Sequence, residues 1–264
     1  MFREHCEVLK NERVTPGHYA LKLKNPRIAK AALPGQFVQV MCSDSSEPLL
    51  PRPFSFLTAD AQTLSLLYQV VGKGTEILSR VKEGGKLWVT GPLGNGFSLS
   101  AGRHSAAALV GGGVGIPPLY HLAQTLLKSK IFSRQNIHVF LGARNRSLLL
   151  CEKDFKKLGV HLEVATDDGS KGQKGYVTSI LENFLKNAAA VRVYACGPTP
   201  MLRAVSKVSA HHKTSCEVSV EVPMACGFGA CIGCAIKVKH EAAHRYAIAC
   251  CEGPVFKSTE IIWE

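Results

Sequence analysis

The stretch SAAALVGGGVGIPPLYHLAQTLLKS, residues 105–129, decides the fold. It begins with AAALV at 106–110, an apolar run bounded by a glycine turn, as expected of a buried strand. A glycine cluster follows. A helical pattern then opens on Pro117 and Pro118, which suit a first turn where a missing N–H costs nothing. Strand, glycine turn and helix in that order begin a parallel α/β unit. The glycines let the backbone approach a phosphate, and the helix N-terminus offers free N–H groups and a positive dipole end. Gly113 and Gly115 fit a dinucleotide fingerprint, but a proline stands at the third glycine position. A tight turn without a ligand therefore stays open as the alternative.

Downstream the alternation continues. NIHVFLGARN, LEVATDDG and VRVYACGP read as strands, and GYVTSILENFLKN and TPMLRAVSKVSAHH as helices. The pattern predicts a parallel sheet with helices on its faces. A second turn, ACGPTPM at 195–201, ends a strand of the same unit, where open α/β sheets bind ligands. GARNR (142–146) and TDDGSKG (166–172) follow strands and should line the same edge. Arg144 and Arg146 can contact phosphate or ribose there, or stand as exposed loop arginines.

Upstream the texture differs. HYALKLKN, GQFVQVMC, LSLLYQVV and KLWVTG are short strands separated by Gly, Pro and Asp clusters, the pattern of a small antiparallel barrel or sandwich. Within it, LLPRPFSF (49–56), VGKGTEILS (71–79) and GPLGNGF (91–97) gather polar and glycine residues. Arg52 can neutralise a phosphate, Ser55 can bond a ring nitrogen, and Thr75 can hold phosphate with backbone N–H groups. A strand with a charged rim is the alternative.

After about residue 214 comes MACGFGACIGCAI, residues 224–236, and then AIACCEGPVF. Cys226, Cys231 and Cys234 show the C-x4-C-x2-C spacing of a plant-type [2Fe–2S] site, with Cys250 or Cys251 as a distant fourth ligand. Gly227, Gly229 and Gly233 give the unusual φ angles needed to wrap a cluster and aim N–H groups at sulfur. A four-cysteine zinc site usually pairs two C-x2-C knuckles, and only one is present. Zinc and a disulfide remain the weaker readings. On an extended strand, Cys250 and Cys251 would point opposite ways, so one alone would face the cluster.

The bulk numbers set the bounds. The 264 residues suffice for two or three domains, and 46% hydrophobic residues argue against disorder. Apolar runs are too short to span a bilayer, and MFREHCEVLK lacks a signal-peptide core, so a cytoplasmic location is expected. In a reducing cytosol the ten cysteines favour ligands and core residues over disulfides. The net charge of +12 is dispersed and aromatics are only 7%, which reads as a solvated basic surface rather than a nucleic-acid site.

The set RPFS, GKGT, GPLGNGF, GGGVGIPP, CGPTPM and the cysteine segment resembles the ferredoxin–NADP reductase superfamily. It is most similar to the family of iron–sulfur flavoprotein electron-transfer subunits of class 1B, NAD-dependent dihydroorotate dehydrogenases. The resemblance covers essentially the whole chain. It implies an antiparallel FAD-binding β-barrel at 1–101, a parallel-sheet α/β NAD-binding domain at 102–213 and a small [2Fe–2S] domain at 214–264. FAD contacts then fall on Arg52, Pro53, Phe54 and Ser55, on Leu67, Tyr68 and Gln69, and on Gly74 and Thr75. NAD(H) contacts fall on Gly112, Gly113, Gly115, Cys196, Gly197 and Pro198. Cluster ligands are Cys226, Cys231, Cys234 and Cys250, the last set by the family's Gly-Pro-Val-Phe ending. The implied function is electron transfer in pyrimidine biosynthesis. Electrons pass from the FMN of a dihydroorotate dehydrogenase catalytic subunit through the cluster and FAD to NAD⁺, in a heterotetramer of two of each chain. No general acid or base is expected here. Related NAD(P)H:ferredoxin, sulfide or hydrogenase subunits are the nearest rivals, and a zinc-binding or redox-sensing regulator is the rival of another class.

Overall fold

The computed structural model describes residues 1–263. Six antiparallel strands close a barrel: β1 (Phe2–Thr15), β2 (His18–Lys24), β3 (Phe37–Val40), β4 (Arg52–Ala59), β5 (Thr63–Gln69) and β6 (Lys86–Leu93), in the order β1-β2-β5-β4-β3-β6. Closure leaves no free strand edge. Alternation along the strands fills the inside: Val38 and Val40 of β3, Leu64, Leu66 and Tyr68 of β5, and Leu87 and Val89 of β6 form one core. Two short helices interrupt the barrel, α1 (Pro26–Ala31) and α2 (Lys73–Ser79). The α1 N-terminus is capped by Asn25, whose side chain accepts from Ile28 N at 3.0 Å.

The second unit alternates as expected: β7 (Ala106–Gly112), α3 (Ile116–Lys128), β8 (Ile137–Ala143), α4 (Glu152–Leu158), β9 (His161–Thr166), β10 (Gln173–Lys174), α5 (Val177–Asn187), β11 (Val191–Cys196) and α6 (Thr199–His211). β7 is buried along nearly its whole length because helices cover both faces of the sheet. One face packs under α3 and α4, and the other under α5 and α6.

Residues 214–263 do not fold apart from this sheet. β12 (Ser215–Ser219) pairs in parallel with β11, and β15 (Val255–Lys257) pairs antiparallel with β12, giving the order β10-β9-β8-β7-β11-β12-β15. Between them lie the cysteine loop, a hairpin of β13 (Ala235–His240) and β14 (Ala243–Ile248), and one helical turn, α7 (Ala249–Glu252). Cys234, Val238, Ala247 and Cys250 join the same buried cluster as Phe37 and Leu93 of the barrel.

GPLGNGF, which adjoins the expected flavin motifs in sequence, is the bolt of this assembly. Asn95 N donates to Gly253 O at 2.5 Å, and Asn95 Nδ2 donates to the carbonyls of Cys251 (3.1 Å) and Glu252 (3.0 Å). It ties the barrel to the Gly-Pro-Val-Phe turn that follows the cysteine doublet. Among the described residues no helix is long and apolar enough to cross a membrane.

Candidate functional site

Barrel and sheet meet at a cavity of 280 Å³ that opens to solvent. From the barrel come Arg52, Pro53, Phe54 and Ser55 of β4 and Leu67, Tyr68 and Gln69 at the end of β5, with Thr75 of α2. From the nucleotide unit come Gly115, Cys196 and Gly197. Residues far apart in sequence thus share one wall. The strand alternation divides their roles. Leu67 turns toward the sheet's core, whereas the Tyr68 ring turns into the barrel, between Tyr19 and Phe54. The Tyr68 hydroxyl donates to Asn11 Oδ1 at 3.1 Å, and burial pushes its pKa up.

Arg52 and Gly74 are adjacent: a Cβ on Gly74 would sit 3.1 Å from the guanidinium Nε. The guanidinium also donates to the carbonyls of Leu50 and Pro51. Thr75 is more occupied than the sequence implies. Its hydroxyl accepts from Val71 N (3.0 Å) and Gly72 N (3.2 Å), and donates its one proton to Gly72 O (2.9 Å). In this conformation it builds the turn into α2.

The glycines of 111–115 split into two kinds. Gly115 is a packing glycine: a Cβ there would lie 2.3 Å from the Cys196 carbonyl carbon, so only glycine lets the start of α3 cross the end of β11. A Cβ on Gly112 would meet Met201 Sδ at 2.7 Å, the flexible end of a side chain, with Pro198 Cδ at 3.4 Å. Gly113 is the reverse, with φ +55° and open space around its Cα. Neither Gly112, Gly113, Gly74 nor Pro198 lines the cavity itself. Arg144 and Arg146 are exposed on the neighbouring loop, held to the TDDGSKG loop through Asp168 N to Arg144 O and Arg146 N to Ser170 Oγ.

Several cavity residues escape a sequence reading. Phe37 arrives from β3, whose four residues are all buried. Ser219, Glu221 and Met224 arrive from the segment that leads into the cysteine loop, and Pro254 from the turn after the doublet. Pro254 belongs to the Gly-Pro-Val-Phe ending, so a signal was present; the others carry none without the fold.

In the cysteine loop the backbone curls on Gly227 (φ +81°), Gly229 (φ +90°) and Ile232 (φ +58°). Burial opposes ionisation of Cys226, but the N–H groups of Phe228, Cys231 and Ala230, with the Cys231 thiol, outweigh it and bring its pKa to about 6. Cys250 N donates to Cys234 Sγ at 3.4 Å. Burial and the adjoining Cys234 and Cys251 sulfurs push the Cys250 thiol up. Cys231 thus stands beside Cys226, and Cys250 stands beside both Cys234 and Cys251. Among the described residues no three His, Cys, Asp or Glu side chains gather to hold one metal ion. Four cysteines gathered on the loop and the turn after it, with N–H groups aimed at sulfur, suit a two-iron cluster held by four thiolates.

The doublet departs from the expected geometry. Cys250 and Cys251 lie in the helical turn α7, not on a strand, and their sulfurs are 3.7 Å apart. Cys251 Sγ would touch a Cβ on Gly229 at 2.8 Å, so both thiols face the loop, with Cys250 buried and Cys251 exposed.

A closed antiparallel barrel and a parallel nucleotide sheet sharing one cleft define an oxidoreductase of the ferredoxin-reductase type. Residues 109–207 match the oxidoreductase NAD-binding domain, and residues 221–262 match the iron-sulfur cluster binding domain of dihydroorotate dehydrogenase B. The chain is 40% identical to the dihydroorotate dehydrogenase B (NAD(+)) electron transfer subunit of Desulforamulus reducens, over 98% of both chains. It is 36% identical to that of Fusobacterium nucleatum, again over 98% of both. The chain belongs to this family of dihydroorotate dehydrogenase B electron transfer subunits. Among solved structures, an NADH-dependent reduced ferredoxin-NADP oxidoreductase matches 98% of this chain and 90% of its own, at TM-score 0.85 and 30% identity. A cytochrome P450 reductase from Amycolatopsis shares the fold at TM-score 0.68 and 21% identity, over 81% of this chain and 67% of its own.

Proposed function

We propose that this chain carries electrons between a dihydroorotate dehydrogenase catalytic subunit and NAD⁺ in pyrimidine biosynthesis. One observation carries the reading: a single cavity joins the Arg52–Ser55 strand, Gly115 with the turn at Cys196 and Gly197, and the segment that enters the cysteine loop. Bound FAD supplies the switch between hydride exchange with NAD(H) and single-electron exchange with a [2Fe–2S] cluster.

The chain's own residues hold and orient these groups. Arg52, beside Gly74, supplies the cation for an FAD phosphate, while Pro53, Phe54, Ser55, Leu67, Tyr68 and Gln69 shape the wall for its ring. Thr75 fixes the turn that carries Gly74. Gly113, with open space above it, and the Cys196–Gly197–Pro198 turn form the entrance for the nicotinamide nucleotide, while Gly112 and Gly115 bring the two turns together. Cys226, Cys231, Cys234 and Cys250 hold the cluster, and the N–H groups of Phe228, Ala230 and Cys231 steady its charge. By role, 1–101 serves FAD, 102–213 NAD and 214–264 the cluster, although the last shares the sheet of the second. The partner is an FMN-containing catalytic subunit, two copies of each chain forming a cytoplasmic heterotetramer.

The test is Cys231→Ser in the co-purified complex. NADH oxidation by an artificial dye should persist, and NAD-linked dihydroorotate oxidation should disappear. Retention of the second activity overturns the reading.

A further inference from the structure

Gln39 stands on β3 between the cavity and the cysteine loop. Its strand neighbours Val38 and Val40 fill the barrel core, so its own side chain points out of the barrel. Across the ladder it pairs with Pro53, which lines the cavity. On its other side it presses on the loop. A Cβ built on Gly227, the residue after Cys226, would stand 2.6 Å from Gln39 Cγ and 2.8 Å from Nε2.

The side chain is 2% exposed, and neither Nε2 nor Oε1 has a hydrogen-bond partner among the described residues. A buried amide with both ends unpaired is costly, and a leucine would fill similar space without that cost. In the ladder Gln39 stands between Pro53 of β4 and Thr90 of β6, and its side chain meets the loop at Gly227. Its nitrogen is the end that reaches Gly227, the residue after Cys226, and a donor is what thiolate or sulfide sulfur can use.

We propose that Gln39 Nε2 donates a hydrogen bond to a sulfur of the cluster held by the cysteine loop, and so sets its reduction potential. The inference rests on the iron–sulfur reading of that loop. A hydrogen bond to sulfur stabilises the more negative, reduced cluster, so the potential rises. Gln39 is then a tuning contact from the barrel to the loop, placed where electrons cross between the two cofactors.

The experiment is an anaerobic redox titration of the intact complex, following the paramagnetic resonance of the reduced cluster. Gln39→Leu should retain iron and flavin and shift the cluster's reduction equilibrium about tenfold toward the oxidised form, about 59 mV for one electron. Gln39→Leu with full cofactor content and the wild-type potential overturns the proposal. Should the leucine variant not assemble, Gln39→Met is titrated instead, and a wild-type potential there overturns it equally. A wild-type complex with no iron and no such signal overturns the parent reading, a result that needs no variant.

Discussion

The cysteines of the cores and the cysteines of the loop are one side chain in two electrostatic settings. In the barrel, burial pushes Cys6 up to about 12 and Cys42 to about 11. In the sheet it pushes Cys196 up to about 12 and Cys216 to about 11. There a thiol deprived of water stays neutral, and for Cys6, Cys196 and Cys216 the backbone N–H groups belong to the strand ladders. In the loop the chain leaves the ladder, turns through positive φ at Gly227 and Gly229, and aims three N–H groups at Cys226. The difference shows that burial and the direction of the backbone N–H groups together decide whether a thiol here ionises: at Cys226 the second outweighs the first, whereas Cys250 is held up by burial and its sulfur neighbours.

The largest effect expected from this contrast is in function. Cys226→Ser should abolish iron binding and NAD-linked turnover, whereas Cys6→Ala should leave both near wild type. Equal iron content in the two variants, measured by metal analysis, breaks the comparison. Within the doublet, Cys250→Ser should lose the cluster and Cys251→Ser keep it, read from the visible spectrum; the reverse pattern reassigns the fourth ligand.

Next in size is Gly115→Ala. A Cβ at 2.3 Å from the Cys196 carbonyl carbon has no room, and the overpacking should destabilise by about 1–3 kcal/mol in a denaturant titration. Gly113→Ala meets open space, is penalised only for its positive φ, and should cost about 1 kcal/mol. Similar losses at both positions would undo the division of these glycines into packing and cleft roles.

Burial acts on a base with the opposite sign. His121 on α3, 5% exposed against Phe56, has its pKa lowered to about 4 from an ordinary 6.5 because burial disfavours the cation. The unfolded chain therefore takes up this proton first, and stability should fall as pH drops from 6.5 toward 4. His121→Leu should flatten that acid limb, by up to about 3 kcal/mol at about pH 4. An unchanged pH–stability curve would contradict the assignment.

The smallest effect is one of reactivity. In cluster-free protein, alkylation of Cys226 should reach half its maximal rate near pH 6, since its thiolate forms above that value. Cys6 and Cys216 should stay unlabelled until the chain unfolds. Peptide mapping separates the two groups, and co-labelling at neutral pH counts against the contrast.

Much of this was legible in residue order. The strand runs of the barrel and the alternation after Ala106 carry their periodicity openly, and the C-x4-C-x2-C spacing is local. What was hidden depends on chain return. The doublet reads as strand because RYAIAC continues an extended pattern, yet Ala249–Glu252 coils into a turn, with Ile248 N donating to Glu252 Oε1 at 2.8 Å. GPLGNGF reads as part of the flavin motif set, but Asn95 directs its bonds to the turn after the doublet. Thr75 reads as a phosphate contact, but its proton is already given to Gly72. Gln39 reads as one polar residue in a strand, and only the approach of Gly227 gives it meaning.

The central claim is that the loop and the cavity hold an iron–sulfur cluster and a flavin in one chain. Chemical analysis of the complex purified without air tests it most directly. The expected result for this chain is about two iron, two acid-labile sulfide and one FAD, with a reddish-brown spectrum that bleaches on adding NADH. A colourless chain containing zinc and no flavin would contradict it.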